Sequence, residues 1–261
     1  MKNLLYTFLA FGIFFSCSEN KENDLTEENL KGNVKSIYTT YNYAIEKFGE
    51  IKKGDKKWND SWWERDNKFY FNEKGYIIGK EGYYINGELN YKWKYKYNDI
   101  GNRIEIKKYD EDGELFGKYK FKYDYNGNLI EESDYDKDGE LEYKSKWKYD
   151  DKGNHIQWKH YSFDGELLFY RKHKFDDNGN LIEIRNYDKD GKLTNKWKLK
   201  YDDRGNVIKV KEYDKDGEWI KEYEHEYEYD DKENWIQQIK FEIHNNNKAT
   251  DFIVREIKYY D

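Results

Sequence analysis

From about residue 75 onward, rings and aliphatic side chains alternate with lysine and glutamate. In LEYKSKWKYD, Leu141, Tyr143, Ser145, Trp147 and Tyr149 take one face, and Glu142, Lys144, Lys146 and Lys148 take the other. A period of two marks a half-covered β-strand. The same alternation returns at Tyr119, Phe121 and Tyr123, at Trp197, Leu199 and Tyr201, and at Tyr223, His225, Tyr227 and Tyr229. Shorter segments run back between them, with Ile104 and Ile106, Ile156 and Trp158, Ile182 and Ile184, and Ile208 and Val210 inward. The chain has no proline to break a ladder, and no segment after residue 30 carries a helical period.

What separates these segments recurs at a fixed interval. Glycines stand at 75, 101, 127, 153, 179 and 205, each 26 residues after the last, and a second set at 87, 113, 139, 165, 191 and 217 keeps the same step. Both sit in Tyr-Asp-x-x-Gly-polar stretches such as YDDKGN (Tyr149–Asn154) and YDKDGE (Tyr135–Glu140). Aspartate opens a type I turn through its side chain and glycine supplies the left-handed residue that closes it, which is a hairpin loop with a G1-type bulge. Glu233 occupies the next place in the first set after a two-residue insertion. Internal repetition outranks any local reading. It predicts an all-β fold: an antiparallel β-meander of 26-residue double-hairpin repeats, roughly 15 to 17 strands, forming a long, twisted or curled repeat sheet. Residues 75–261 are the repeat array. Residues 31–74 are less regular and read as a divergent N-terminal capping unit, because terminal repeats are atypical.

Composition changes this picture in one respect. Charged residues are 39% of the chain and hydrophobic ones 36%, close to the range of disorder. Yet the net charge is only -7, and 28 Tyr and 9 Trp supply a core made of rings. Along the sequence lysines and acids are interspersed, so no basic stripe calls for nucleic acid.

The N-terminus reads as an address. MKNLLYTFLAFGIFFSC has Lys2, then an apolar run from Leu4 to Phe15, too short to span a bilayer, then Ser16 and Cys17. This resembles a bacterial lipoprotein signal of the Bacteroidota type: residues 1–16 are removed and Cys17 is lipidated. An ordinary secretory signal with a chance cysteine is the alternative. Residues 17–30 read as a flexible acidic tether. The location implied is the outer membrane, at the cell surface or on the periplasmic face, with the membrane reached through the lipid anchor. With one cysteine no intrachain disulfide can form.

Tyr-Asp-x-x-Gly-Asn at fixed spacing (Tyr123, Asp124, Gly127 and Asn128; Tyr149, Asp150, Gly153 and Asn154; Tyr201, Asp202, Gly205 and Asn206) resembles the YD, or Rhs, repeats of secreted and surface bacterial proteins over residues 70–240. The resemblance implies a β-sheet strip that curls, and carbohydrate binding. Phe175 departs from the motif, and the array is short for a cocoon enclosing a toxin.

Candidate chemistry is sparse. The five histidines, His155, His160, His173, His225 and His244, form no metal-ligand spacing, and neither a nucleophile elbow nor a phosphate loop occurs. No enzyme and no cofactor is expected. Asp134, Asp136 and Asp138 match the opening of a calcium loop, but the twelfth position is Ser145 rather than glutamate; solvated turn acids are the alternative. Trp147, Tyr149, Trp197, Tyr201 and Tyr227 would form ring ladders about 9.6 Å apart on one face, either stacking on sugars or forming the core. Trp58, Trp62 and Trp63 fit the repeat least, and are either a binding cluster or a cap cluster. The function expected is non-enzymatic binding of an extended ligand, glycan first, at a surface lipoprotein. A protein-interaction or structural module is the alternative.

Overall fold

The computed structural model describes residues 23–57, 65–244 and 246–261. Cys17, Trp58, Trp62 and Trp63 lie outside them. The chain divides into two compact units, one of residues 23–92 with 225–261 and one of residues 93–224.

The second unit is the repeat itself. Its strands are β6 (Arg103–Asp110), β7 (Leu115–Tyr123), β8 (Leu129–Asp136), β9 (Leu141–Tyr149), β10 (His155–Ser162), β11 (Leu167–Phe175), β12 (Leu181–Asp188), β13 (Leu193–Tyr201) and β14 (Val207–Asp214). Each pairs antiparallel with the next. β5 (Leu89–Tyr97) and β15 (Trp219–Tyr229) contribute residues to both units. The reversals follow the sequence grammar, except that Ser162 stands in the aspartate position between β10 and β11 and donates to the Glu166 carbonyl. Asp136 Oδ1 accepts from the backbone N–H of Asp138 at 3.0 Å and of Glu140 at 2.8 Å, and Gly139 has φ +87°. At the Gly-Asn turns the asparagine adds a bond: Asn154 Nδ2 donates to Asp150 Oδ2 at 3.1 Å. A bulge beside each of these turns shifts the register, as between Asp134 and Tyr135 or between His155 and Gln157.

Burial follows the two-residue period. On β13, Asn195, Trp197 and Leu199 are buried and Lys198 and Lys200 exposed. Trp197 packs with Leu181, Ile184 and Leu199, flanked by Phe175, Tyr201 and Val207.

The first unit contains a short helix, α1 (Asp24–Glu27), with β1 (Val34–Lys47), β2 (Glu50–Lys56), β3 (Asn67–Phe71), β4 (Ile77–Tyr83), β16 (Trp235–Glu242) and β17 (Lys248–Tyr259). The described end of the expected tether is docked. Leu25 and Leu30 are buried, Asp24 accepts from the Ile77 N–H at 2.7 Å, and the Asn234 side chain holds both N–H and C=O of Lys31.

β1 decides the architecture. It pairs with β17 along one side and with β3 along the other. The strand order therefore returns to its start, and the 17-stranded sheet is closed, with β2 an additional partner of β1. The expectation of an open, curled repeat strip is corrected here: the meander is present, but it is a closed antiparallel barrel. Among the described residues, closure pairs the strands of the ring on both sides, which removes the edges an open sheet would offer. β1 and β3, which make that closure, lie within the irregular stretch, which is why their side-chain pattern departs from the 26-residue repeat.

Candidate functional site

The sequence-nominated rings fall on the buried face of the sheet. Trp197 is 2% exposed and belongs to the core. The tyrosines of the Gly-Asn turns have a fixed structural task. Tyr149 Oη donates to the Leu129 carbonyl at 2.9 Å and Tyr201 Oη to the Leu181 carbonyl at 2.8 Å, as Tyr123 Oη does to Arg103. Phe175 lacks the hydroxyl, and His173 Nδ1 donates instead to the equivalent carbonyl of His155 at 3.0 Å. Trp147 lies opposite Trp158 on the half-buried part of the same face. Tyr227, in the other unit, accepts from Gln238 Nε2 at 2.8 Å and meets the Trp235 ring. These rings hold strands together.

The calcium candidates do not converge. Asp136 and Asp138 belong to the turn, while Asp134 turns to the buried face and pairs with Lys108 at 2.5 Å. No group of three or more metal-ligating side chains occurs among the described residues.

The buried face of the 93–224 unit is polar as well as aromatic. Burial holds the Glu132 carboxyl up to about 7, with Asp134 beside it adding to the rise. Burial also raises Asp134, against the pull of Lys108. Ser145 Oγ lies 3.1 Å from His160 Nδ1. Asn186 donates to Asn195 at 2.7 Å, which donates to Glu212 at 3.1 Å. Arg171 lies over the Trp158 ring at 4.9 Å, and desolvation brings it down to about 10. Three imidazoles are driven down by burial, His155 to about 3 and His160 and His173 to about 4.

The opposite, open face carries the feature that sequence reasoning missed. The tyrosine that begins each DG-turn hexapeptide stands on it: Tyr109, Tyr135, Tyr161, Tyr187 and Tyr213, one on every second strand, each half-buried. A lysine ammonium lies over every ring: Lys94 over Tyr109 at 5.1 Å, Lys118 over Tyr135 at 5.7 Å, Lys146 over Tyr161 at 5.7 Å, Lys172 over Tyr187 at 5.4 Å and Lys196 over Tyr213 at 4.5 Å. Tyr170 stacks on Tyr187 with centroids 4.7 Å apart and planes 5° from parallel. The strands between carry lysine at successive open-face positions: Lys118, Lys120 and Lys122 on β7, Lys144, Lys146 and Lys148 on β9, and Lys196, Lys198 and Lys200 on β13. Glu105, Glu131 and Glu183 interrupt them on the returning strands. Lysines that are interspersed with acids along the chain are thus gathered by the pleat onto one face.

No family model matches the chain, and no curated protein matches it. Among solved structures it is similar to a porin-like protein from Bacteroides uniformis, at TM-score 0.55 and 10% identity, over 87% of this chain and 98% of that one. That likeness is one of fold. A porin-like protein from Bacteroides vulgatus aligns at TM-score 0.45 and 13% identity, over 87% of this chain and 98% of that one. A TcdB2-TccC3 structure without its hypervariable C-terminal region aligns at TM-score 0.33 and 13% identity, over 85% of this chain and 12% of that one.

Proposed function

We propose that this chain is a non-enzymatic, lipid-anchored protein of the bacterial envelope whose open lysine–tyrosine face binds an extended anionic glycan. One observation carries the reading: the row of tyrosine rings at every second strand, about 9.6 Å apart, each with an ammonium above it. A ring face takes the apolar side of a sugar as it takes a base, at about 1–3 kcal/mol per contact. The lysines supply the counter-charge. A regular row suits a ligand that repeats. Anchoring rests on the Cys17 signal, and the YD-like repeat accords with a surface protein.

A pore across a membrane is disfavoured by the same face. Each of its lysines would cost about 2–4 kcal/mol at the bilayer midplane. Among the described residues no helix is long and apolar enough to cross a membrane either. Hydrolysis has one observation in its favour, the raised Glu132 beside Asp134, but Lys108 already engages Asp134.

Calorimetric titration with acidic polysaccharides such as polygalacturonate and alginate, neutral glucans, and single-stranded DNA tests the proposal. Binding to the acidic glycans, weakening with salt and about tenfold weaker in Tyr187→Ala and Tyr213→Ala, is expected. Equal affinity for DNA would reduce the face to a general polyanion binder. Absence of binding to every polymer would overturn the glycan reading in favour of a protein partner.

A further inference from the structure

Register lines up the open-face side chains of the 93–224 unit in rows that run across the strands. In two of these rows acids separate the lysines: Glu131 stands between Lys122 and Lys146, and Glu183 between Lys174 and Lys198. The row between those two has another composition. It runs from Lys148 on β9 through Gln157 on β10, Lys172 on β11, Arg185 on β12 and Lys196 on β13 to Tyr213 on β14, each directly opposite the next. The order cation, cation, ring recurs at Lys107, Lys118 and Tyr135.

Like charges placed directly opposite one another destabilise a sheet. Lys172, Arg185 and Lys196 stand so on three consecutive strands. Where a local choice works against the fold, a binding role is the ordinary reason for it. The cations are also held in place. The Lys172 ammonium lies 5.4 Å from the Tyr187 ring centroid, and that of Lys196 lies 4.5 Å from the Tyr213 centroid. Arg185 Nε donates to Glu183 Oε1 at 2.8 Å, which offsets part of its charge and fixes the guanidinium plane. Lys148, Lys172 and Arg185 are exposed, and Lys196 is half-buried.

Spacing says which ligand suits the row. Cations on consecutive strands are one strand spacing apart, about 4.8 Å, whereas the tyrosine rings repeat at twice that distance. The ring period alone fits any chain of sugars. The cation period fits a chain that offers an anion at each step. A 1→4-linked pyranose chain advances by close to one strand spacing per sugar, so the match is an anionic group on every sugar rather than on every second one.

We propose that this row is the track of the glycan and that the glycan is a polyuronate, an unbranched chain with one carboxylate on each sugar, lying across β9 to β14. The inference rests on the glycan reading of the open face and narrows it. Lys148, Lys172, Arg185 and Lys196 each take a carboxylate, and the arginine fork takes its own through two parallel N–H groups. Gln157 gives an amide N–H to the sugar between Lys148 and Lys172. Tyr213 closes the row with a ring for the apolar side of the last sugar. The row covers five strand spacings, about 24 Å, the length of about six sugars.

The test is calorimetric titration of the full chain with polymannuronate oligomers of graded length and with hyaluronate, whose carboxylates fall on alternate sugars, at equal carboxylate concentration. We expect affinity to rise with length up to about six sugars and then level off, and hyaluronate to bind about tenfold more weakly. Lys172→Gln and Lys196→Gln should each weaken polymannuronate binding about fivefold. Neither should lower stability in urea, because each removes a like-charge neighbour of Arg185. Lys215→Gln removes the same charge from a turn where Asp216 pairs with it, and should keep the parental affinity. Hyaluronate binding as tightly as polymannuronate or more so, or row variants no weaker than Lys215→Gln, overturns the polyuronate track and leaves the glycan reading standing. Binding of neither polymer to the unaltered chain overturns both.

Discussion

Single residues show how closely local chemistry tracks the repeat. Where the Gly-Asn series reaches position 233 the backbone still takes the left-handed conformation, with φ +64°, but the residue is glutamate. A Cβ in that region costs about 1 kcal/mol. Glu233→Gly is therefore expected to raise unfolding free energy by about 1 kcal/mol in urea titrations; a loss of stability would mean that the glutamate side chain contributes more than the strain. The turn glycines and their aspartates were legible because turn chemistry is local. The fate of the tyrosines was not. Tyr135 and Tyr149 begin the same motif, yet one faces out under a lysine and the other donates inward to Leu129. Each turn's bulge shifts the two-residue phase once, so tyrosines an even number of residues apart take opposite faces. The cation row from Lys148 to Lys196 was hidden for the same reason, since its members come from separate strands and only the bulged register lines them up.

At the scale of strands, β10 and β11 carry the imidazoles. His155 is fully buried against Tyr149, His173 and Phe175. Folded-state values of about 3 to 4 for His155, His160 and His173 lie below the ordinary 6.5. Their stability is complete above pH 6.5 and is lost as pH falls through that window, by about 1.4 kcal/mol per unit for each ring. Glu132 works oppositely. Its folded value of about 7 means that it takes up a proton before the unfolded chain does, so it adds stability as pH falls from 7 to 4.5. Three rings outweigh one carboxyl, and stability falls steeply from pH 6.5 to pH 4.5. The double variant His173→Leu, Phe175→Tyr restores the tyrosine–carbonyl bond of the other repeats and removes one imidazole. Chemical unfolding at pH 7, 6, 5 and 4 should show it near the parent at pH 7 and less acid-sensitive below 6; an unchanged acid slope would mean that His173 is not titrating between the two states.

For the molecule as a whole, the alternation and the two glycine sets specify a meander, and a meander alone leaves its two ends undefined. The pairing of β1 with β17, Thr39 opposite Arg255 and Tyr41 opposite Ile253, joins segments about two hundred residues apart, with no turn between them to mark the contact. It also explains why the divergent segment resists the repeat: a strand that must meet both β17 and β3 cannot keep the side-chain pattern of one meeting only its sequence neighbours.

Because the Tyr260 N–H donates to the Asn33 carbonyl at 2.8 Å, the first and last strands lie side by side, and the chain is topologically a ring with one cut. Such a ring closes late, since the contact that completes it has the greatest sequence separation and pays the largest loop entropy. Moving the cut should change the kinetics and leave the product alone. A circular permutant joined from Tyr260 to Asn33 by a short Gly-Asn turn and opened at Gly139 converts that contact into a local hairpin. It is expected to fold faster than the unpermuted chain of residues 33–260 to the same circular dichroism spectrum, whereas removal of residues 248–261 should leave both flanking strands open and the chain prone to associate edge to edge. A permutant that folds more slowly than the unpermuted 33–260 chain would mean that the seam forms early and organises the rest.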